Sequence, residues 1–497
     1  MEVKNKIDAV FNNISIKSFS IKEEGTVIDV NNSVVVGKGF TNIKFEECVL
    51  IKNKYHGIVS VIEKDIIKVI LLDKTNDIII GDKITRTYEP LKVPVDDNMI
   101  GRILNGLGVP IDDGNSIKAD EYYNVERPSK GIMERQSVKE PLETGIKVID
   151  SLIPIGKGQR ELILGDKQTG KTSIAIDAIL HQKNTDVICI YCCIGQRDNN
   201  VANVIKVLKD NDAMKYTILV HASSSELSGM QYIAPYTATS IAEYFMEKGR
   251  DVLIVYDDLT KHARAYREIS LLLGKNPGRE AFPADIFYIH SRLLERSTRL
   301  KDDLGGGSIT SLPIVETEAE NISAYIPTNI ISITDGQIYL SPSLFQKGIL
   351  PAIDIGKSVS RVGSSAQFIA YKQSVGTLGI EYAQFEELEM FSKFSTNLDG
   401  ETQKIIDNGK RIREIFKQDI NDTYSVEEQI AIFLSLNNGI FDNVPLDKIK
   451  KAESTIKNII NSDFCDIKEA IKNNKKIPQD IISNFLFKVR EKINQLF

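Results

Sequence analysis

The stretch "RELILGDKQTGKTSIAIDAILHQK", residues 160–183, decides the fold. An apolar run leads into a loop bounded by glycines, and the loop closes on a lysine and a hydroxyl before apolar residues resume at helical spacing. Gly165, Gly170, Lys171 and Thr172 satisfy G-x-x-x-x-G-K-[ST], with Asp166, Lys167, Gln168 and Thr169 between them. A strand before and a helix after give that pattern its meaning, because backbone N–H groups of the curled loop then face phosphate oxygens at the positive end of a helix. Lys171 is placed to reach the terminal phosphates of ATP and Thr172 to ligand Mg²⁺.

Outward from the loop, "RELILGD", "DVICIYC", "KYTILVHA", "DVLIVYDD" and "SLPIVET" are near-continuous apolar runs, as expected of parallel strands covered on both faces. Helix-length segments separate them, so residues 93–365 read as a doubly wound, RecA-like α/β nucleotide-binding domain. Asp257 is the first acid after a buried run and resembles a Walker B aspartate, a second Mg²⁺ ligand; the bland alternative is a solvated strand end, which is the expectation for Asp258. Where ATPases of this build commonly carry a glutamate, after the strand that follows the first helix, this chain has Gln196. An amide cannot accept a proton as a carboxylate does, and loss of a general base costs about 10²- to 10⁴-fold in rate. The site is therefore expected to bind nucleotide and barely turn it over, although some GTPases orient water with glutamine, so the residue alone does not prove inactivity.

Residues 25–92 carry short β-branched runs, "GTVIDV", "SVVVG", "CVLIKN", "HGIVSVI", "IIKVILL" and "DIIIGDKI", expected to form a small β-barrel or sandwich. Beyond residue 366 strand signals stop, and 366–497 reads as an all-α domain. In "YAQFEELEMFSKF", Tyr382, Phe385, Leu388, Phe391 and Phe394 fall three apart, on one helix face. Residues 1–24 form a separate, weakly amphipathic segment.

Composition narrows the function classes. A net charge of -6 without a basic block gives no electrostatic reason for a nucleic-acid partner. No apolar run approaches the roughly 18 residues that span a bilayer, and the N-terminus lacks a secretory core, so membrane contact is expected only through a complex. Three of the five cysteines lie in "VICIYCCIG", where buried reduced thiols are expected, and no second cluster completes a metal site.

With the loop, "IGQ" and "SVSRVGS" go "GRILNGLGVPIDDG", "YIAPYTATSIAEYF", "YDDLTKHARAYREISLLL", "PGREAFPADIFYIHSRLLER", "GGGSITSLPIVET" and "AYIPTNIISITDGQIYL". By these stretches, which follow one order along about residues 25–440, the chain resembles the alpha subunits of F-type ATP synthases. The resemblance implies an α₃β₃ hexamer with beta subunits, a central-stalk gamma subunit, a peripheral-stalk delta-type subunit docked by the N-terminal segment, and a peripheral membrane complex on the cytoplasmic face of a bacterial inner membrane or the matrix side of an organelle membrane. It implies a site that binds MgATP without turnover, and it makes Arg361 an arginine finger entering the adjacent beta subunit's catalytic site. Phe345 and Gln418 match the family's base pocket, whereas Leu350 replaces its usual arginine and Ile420 one of its two glutamines. Alternatives are the catalytic subunit of a related rotary or export ATPase, an RNA-translocating hexameric helicase, and an alpha-like paralogue coupled to something other than protons.

Overall fold

The computed structural model describes residues 23–392 and 400–496. The chain divides into two compact units between Leu91 and Lys92. In the first, β1 (Glu24–Asn31), β2 (Val34–Lys38), β3 (Glu47–Ile51), β4 (Tyr55–Ile62), β5 (Ile66–Leu71) and β6 (Lys83–Pro90) close a barrel in the order β1-β2-β5-β4-β3-β6. All its pairings are antiparallel. Alternation turns Val27, Val35, Val49, Val59, Val69 and Ile84 fully inward. The sixth strand starts later than its apolar run suggests: in "DIIIGDKI" Ile79 and Ile80 are exposed. Asp82 there accepts the Ile79 N–H in a tight turn, and strand pairing begins only at Lys83.

In the second unit, β7 (Lys92–Val95) pairs with β9 (Glu121–Asn124), and β10 (Pro141–Leu142) with β11 (Ile155–Gly156). The main sheet comprises β8 (Ile103–Asn105), β12 (Leu162–Asp166), β13 (Ile188–Gln196), β14 (Thr217–Ser223), β15 (Asp251–Asp257), β16 (Ser308–Thr317), β17 (Gly336–Leu340) and β18 (Val359–Ser360). Their order is β18-β17-β12-β16-β15-β13-β14-β8, parallel throughout except for β18 at one edge. The strand bearing the phosphate loop therefore lies inside the sheet, between β17 and β16. Asp257 and Gln196 follow from strands one and two places beyond β16, and all three strand ends open on the same side.

Helices α1 (Lys147–Leu152), α2 (Lys171–His181), α3 (Asp198–Asp210), α4 (Ser228–Glu247), α5 (Leu259–Leu272), α6 (Ile286–Leu294), α7 (Tyr325–Ile333) and α8 (Pro342–Gln346) connect the strands. The chain ends in an all-helical region: α9 (Ile369–Val375), α10 (Leu378–Ser392), α11 (Gly400–Phe416), α12 (Val426–Asn437), α13 (Ile449–Asp463), α14 (Cys465–Lys472) and α15 (Gln479–Leu496). Tyr382 and Phe385 of the expected aromatic face are buried and Leu388 packs partly against the core. The side chains of Phe391 and Phe394 lie outside the described residues, as does most of the N-terminal segment. Among the described residues, no helix is long and apolar enough to cross a membrane.

Candidate nucleotide site

Strand β12 delivers Gly165 into contact with β17, and a Cβ on Gly165 would stand 2.7 Å from the Leu340 carbonyl oxygen, so only glycine allows the loop to leave the sheet here. Gly170 takes φ +97, a left-handed turn that ends the loop at the first residue of α2. Between them, Asp166 stabilises the curl from below. Its carbonyl accepts from Thr169 Oγ1 at 2.8 Å and from Lys171 Nζ at 2.5 Å. Its carboxylate accepts from Thr317 Oγ1 at 2.5 Å and from the Glu320 N–H at 3.1 Å. Asp166 is therefore a buttress tying the loop to the end of β16, with its side chain occupied by protein. Lys171 is buried, which pushes its ammonium below its ordinary value; Glu316, Asp258 and Asp257 oppose that shift.

Asp257 is the centre of the polar cluster. Its Oδ2 accepts from Thr172 Oγ1 at 3.0 Å and from the Tyr191 hydroxyl at 2.5 Å, while Gln196 Nε2 donates to Oδ1 at 2.9 Å. The carboxylate thus accepts from three neutral donors. Asp258 corrects the expectation of a solvated strand end. It is 1% exposed, caps α5 by accepting from the Lys261 N–H at 2.7 Å, and pairs with Lys261 Nζ at 3.2 Å. A helix that starts immediately after the strand needs an N-cap, and Asp258 is the residue placed to supply one. Burial, with Asp257 and Glu316 nearby, pushes its carboxyl up to about 7.

A cleft of about 850 Å³ runs from this cluster to the helical region, lined by Lys167, Gln168, Thr169, Gly170, Lys171, Thr172, Gln196, Asp257, Phe345 and Gln418, together with Leu350 and Ile420. Gly165, Asp166 and Arg361 are not among its walls. At its far end Phe345 and Ile420 present exposed apolar surface suited to packing against a base. Gln418 reaches the cleft with its amide already engaged: Oε1 accepts from the Lys147 N–H at 3.0 Å, and Nε2 donates to the Gly145 and Asp422 carbonyls at 2.7 and 2.6 Å. Arg361 is exposed on the loop after β18; its N–H donates to the Asp335 carbonyl at 2.8 Å and Nη2 reaches the Ile331 carbonyl at 3.3 Å.

Three contributors escape a reading of the sequence alone. Tyr191 looks like core in an apolar strand, yet its hydroxyl holds Asp257. Glu316 also lines the cleft, with a buried Oε2 that has no hydrogen-bond partner. Asp177 lines it too, and accepts from the Asn421 N–H at 2.9 Å; burial pushes its carboxyl up to about 6. Only the position of Glu316, directly after the apolar run of β16, could have marked it as a strand-end acid.

A parallel sheet with a glycine-bounded phosphate loop on an interior strand, and an acid at a neighbouring strand end, defines a P-loop nucleotide-binding protein. Family models agree along the chain: residues 145–360 match the ATP synthase alpha/beta family, nucleotide-binding domain, and 367–492 the ATP synthase alpha/beta chain, C terminal domain. The chain is 52% identical over 463 residues to ATP synthase subunit alpha 1 of Marinomonas sp. (strain MWYL1), covering 93% of this chain and 91% of that one. It is 54% identical over 452 residues to ATP synthase subunit alpha 1 of Chlorobium luteolum (strain DSM 273 / BCRC 81028 / 2530), covering 90% and 88%. The chain belongs to the ATP synthase alpha/beta family, as an alpha subunit of the F-type ATP synthase.

Proposed function

We propose that this chain binds MgATP without hydrolysing it and lends Arg361 to the catalytic site of an adjacent beta subunit, within an α₃β₃ head. The single observation carrying the non-hydrolysing role is that Gln196 donates its amide to Asp257. A group at that strand end that gives a hydrogen bond to the metal-binding acid, and has no basic oxygen to offer water, leaves the attacking nucleophile without its proton acceptor. Lys171 holds the terminal phosphates, and the loop N–H groups hold the rest. Thr172 and Asp257 present hard oxygens 3.0 Å apart, a donor set suited to Mg²⁺, which is usually held by one or two protein oxygens completed by phosphate and water. Bound there, Mg²⁺ would neutralise phosphate charge.

The exposed position of Arg361, outside the walls of its own chain's cleft, supports action on a neighbour. A guanidinium donates two aligned hydrogen bonds to charge growing on phosphate oxygens, and such a finger is worth about 10³- to 10⁵-fold in turnover. By the same reading the chain assembles with beta subunits, a gamma-type central stalk and a delta-type peripheral stalk. The complex is peripheral to the cytoplasmic face of a bacterial inner membrane, or the matrix side of an organelle membrane, and couples ATP synthesis to proton transport. The test is Arg361→Lys in the co-expressed complex. Assembly and nucleotide content of this chain's sites should be unchanged while steady-state hydrolysis falls by at least about two orders of magnitude. A normally assembled variant with parental turnover would remove the finger role.

A further inference from the structure

We propose that Glu161, acting through Gln159 and Ser360, is a positioning residue for Arg361, and this rests on the trans role of Arg361 proposed above. Glu161 sits at the entry to β12, fully shielded from solvent, a place where an apolar residue would ordinarily stand. Its Oε2 accepts from Gln159 Nε2 at 2.7 Å, and that same amide nitrogen lies 3.1 Å from Ser360 Oγ. Gln159 is itself fully buried and pinned by the Gly156 N–H at 2.8 Å. Ser360, next to Arg361 in the chain, donates to the Pro154 carbonyl at 2.7 Å and accepts from the Gly363 N–H at 3.1 Å, so its hydroxyl clamps both sides of the arginine.

The sheet closes over the carboxyl from the other side. Gly336 pairs with Ser360, and a Cβ on Gly336 would stand 2.6 and 2.8 Å from the two Glu161 oxygens. The neighbouring Asp335 carbonyl receives the Arg361 N–H. Glu161 Oε1 has no hydrogen-bond partner, a penalty that packing alone does not require. Burial drives this carboxyl well above its ordinary range; the Gln159 hydrogen bond opposes the rise, Asp335 adds to it, and the charge of Arg361 opposes it least. The carboxyl, amide and hydroxyl together form a buried strut under the loop that presents the guanidinium.

The experiment measures kcat and KM for ATP hydrolysis by the complex with its beta subunit, for Glu161→Leu, Glu161→Gln, Ser360→Ala, Arg361→Lys and the double variant Glu161→Leu/Arg361→Lys. Displacing a catalytic group by about 1 Å costs up to about 10²-fold, so Glu161→Leu should lower kcat by about 10- to 10²-fold and leave KM unchanged. Glu161→Gln keeps an acceptor for Gln159 and should recover most of the turnover. The leucine change should add no further loss once Arg361 is lysine. Glu161→Leu complexes that assemble with parental kcat, or that lose as much again in the Arg361→Lys background, overturn the strut. Should Glu161→Leu not assemble, Ser360→Ala decides, because a parental kcat there also overturns it. Parental turnover in Arg361→Lys would instead remove the finger reading on which the strut depends.

Discussion

The hydroxyl of Tyr191, the amide of Gln196 and the hydroxyl of Thr172 converge on one carboxylate, and that convergence explains more of the site than the absence of a base does. A glutamate at position 196 would set a second carboxylate against Asp257 where an amide now donates at 2.9 Å. Two carboxylates so close resist joint ionisation unless a cation lies between them. Gln196→Glu is therefore expected to make nucleotide retention more dependent on Mg²⁺ without bringing hydrolysis at this site to about 1 s⁻¹, the low end of ordinary enzymes. A rate in that range, measured in complexes whose beta sites are disabled, would show that the base was the only part missing. Asp177 supplies a pH test. Its carboxyl is held up to about 6 by burial, so the native state keeps a proton that the unfolded chain releases near 4. Stability should thus fall as pH rises between about 4 and 6, by up to about 3 kcal/mol, and stay reduced above that window. Asp177→Asn should remove that slope in unfolding midpoints measured across pH, and an unchanged slope would discount the burial. The loop residues and Asp257 were legible because their order along the chain is itself the signal. Tyr191 was not, since nothing local separates a tyrosine with a polar task from one that fills core.

At the scale of elements, α1 joins the phosphate domain to the helical region through a buried ion pair. Lys147 Nζ meets Glu453 Oε1 of α13 at 2.7 Å, both side chains are almost wholly shielded, and the ammonium lies 4.4 Å from the Tyr424 ring centroid. Burial lowers the Lys147 ammonium and raises the Glu453 carboxyl, so each ion depends on the other. The backbone N–H of the same lysine fixes Gln418 at the wall of the cleft. Lys147→Met should cost about 3 to 5 kcal/mol by stranding Glu453, and Lys147→Met/Glu453→Met should recover most of it. Thermal midpoints of the two variants check this, and a single variant as stable as the parent would contradict it. No sequence pattern pairs residues 306 or 271 positions apart, which is why neither the Lys147–Glu453 pair nor the bond from the Lys147 N–H to Gln418 can be read from the sequence. The sixth barrel strand was misplaced for a related reason: an apolar run marks a strand only if its backbone finds a partner, and at Ile79 and Ile80 a turn intervenes.

Across the whole molecule, the three-part architecture was legible because each part has its own period. Short alternating runs give the barrel, continuous apolar strands the parallel sheet, and helical spacing the final region. What periodicity cannot carry is the direction in which a site acts. The cleft walls bring Lys171, Thr172 and Asp257 together, while Arg361 stands exposed elsewhere. One chain would then combine a site that holds nucleotide with a side chain that helps break nucleotide in a neighbour. The most direct measurement is the fate of γ-labelled ATP in complexes assembled with a beta subunit whose own phosphate loop is disabled, so that only this chain's sites remain. After removal of free nucleotide, acid extraction should recover intact ATP, close to one per alpha chain, with no phosphate released over hours. Recovery of ADP with phosphate release at about 1 s⁻¹ or faster would contradict the holding role, as would sites left empty under saturating MgATP.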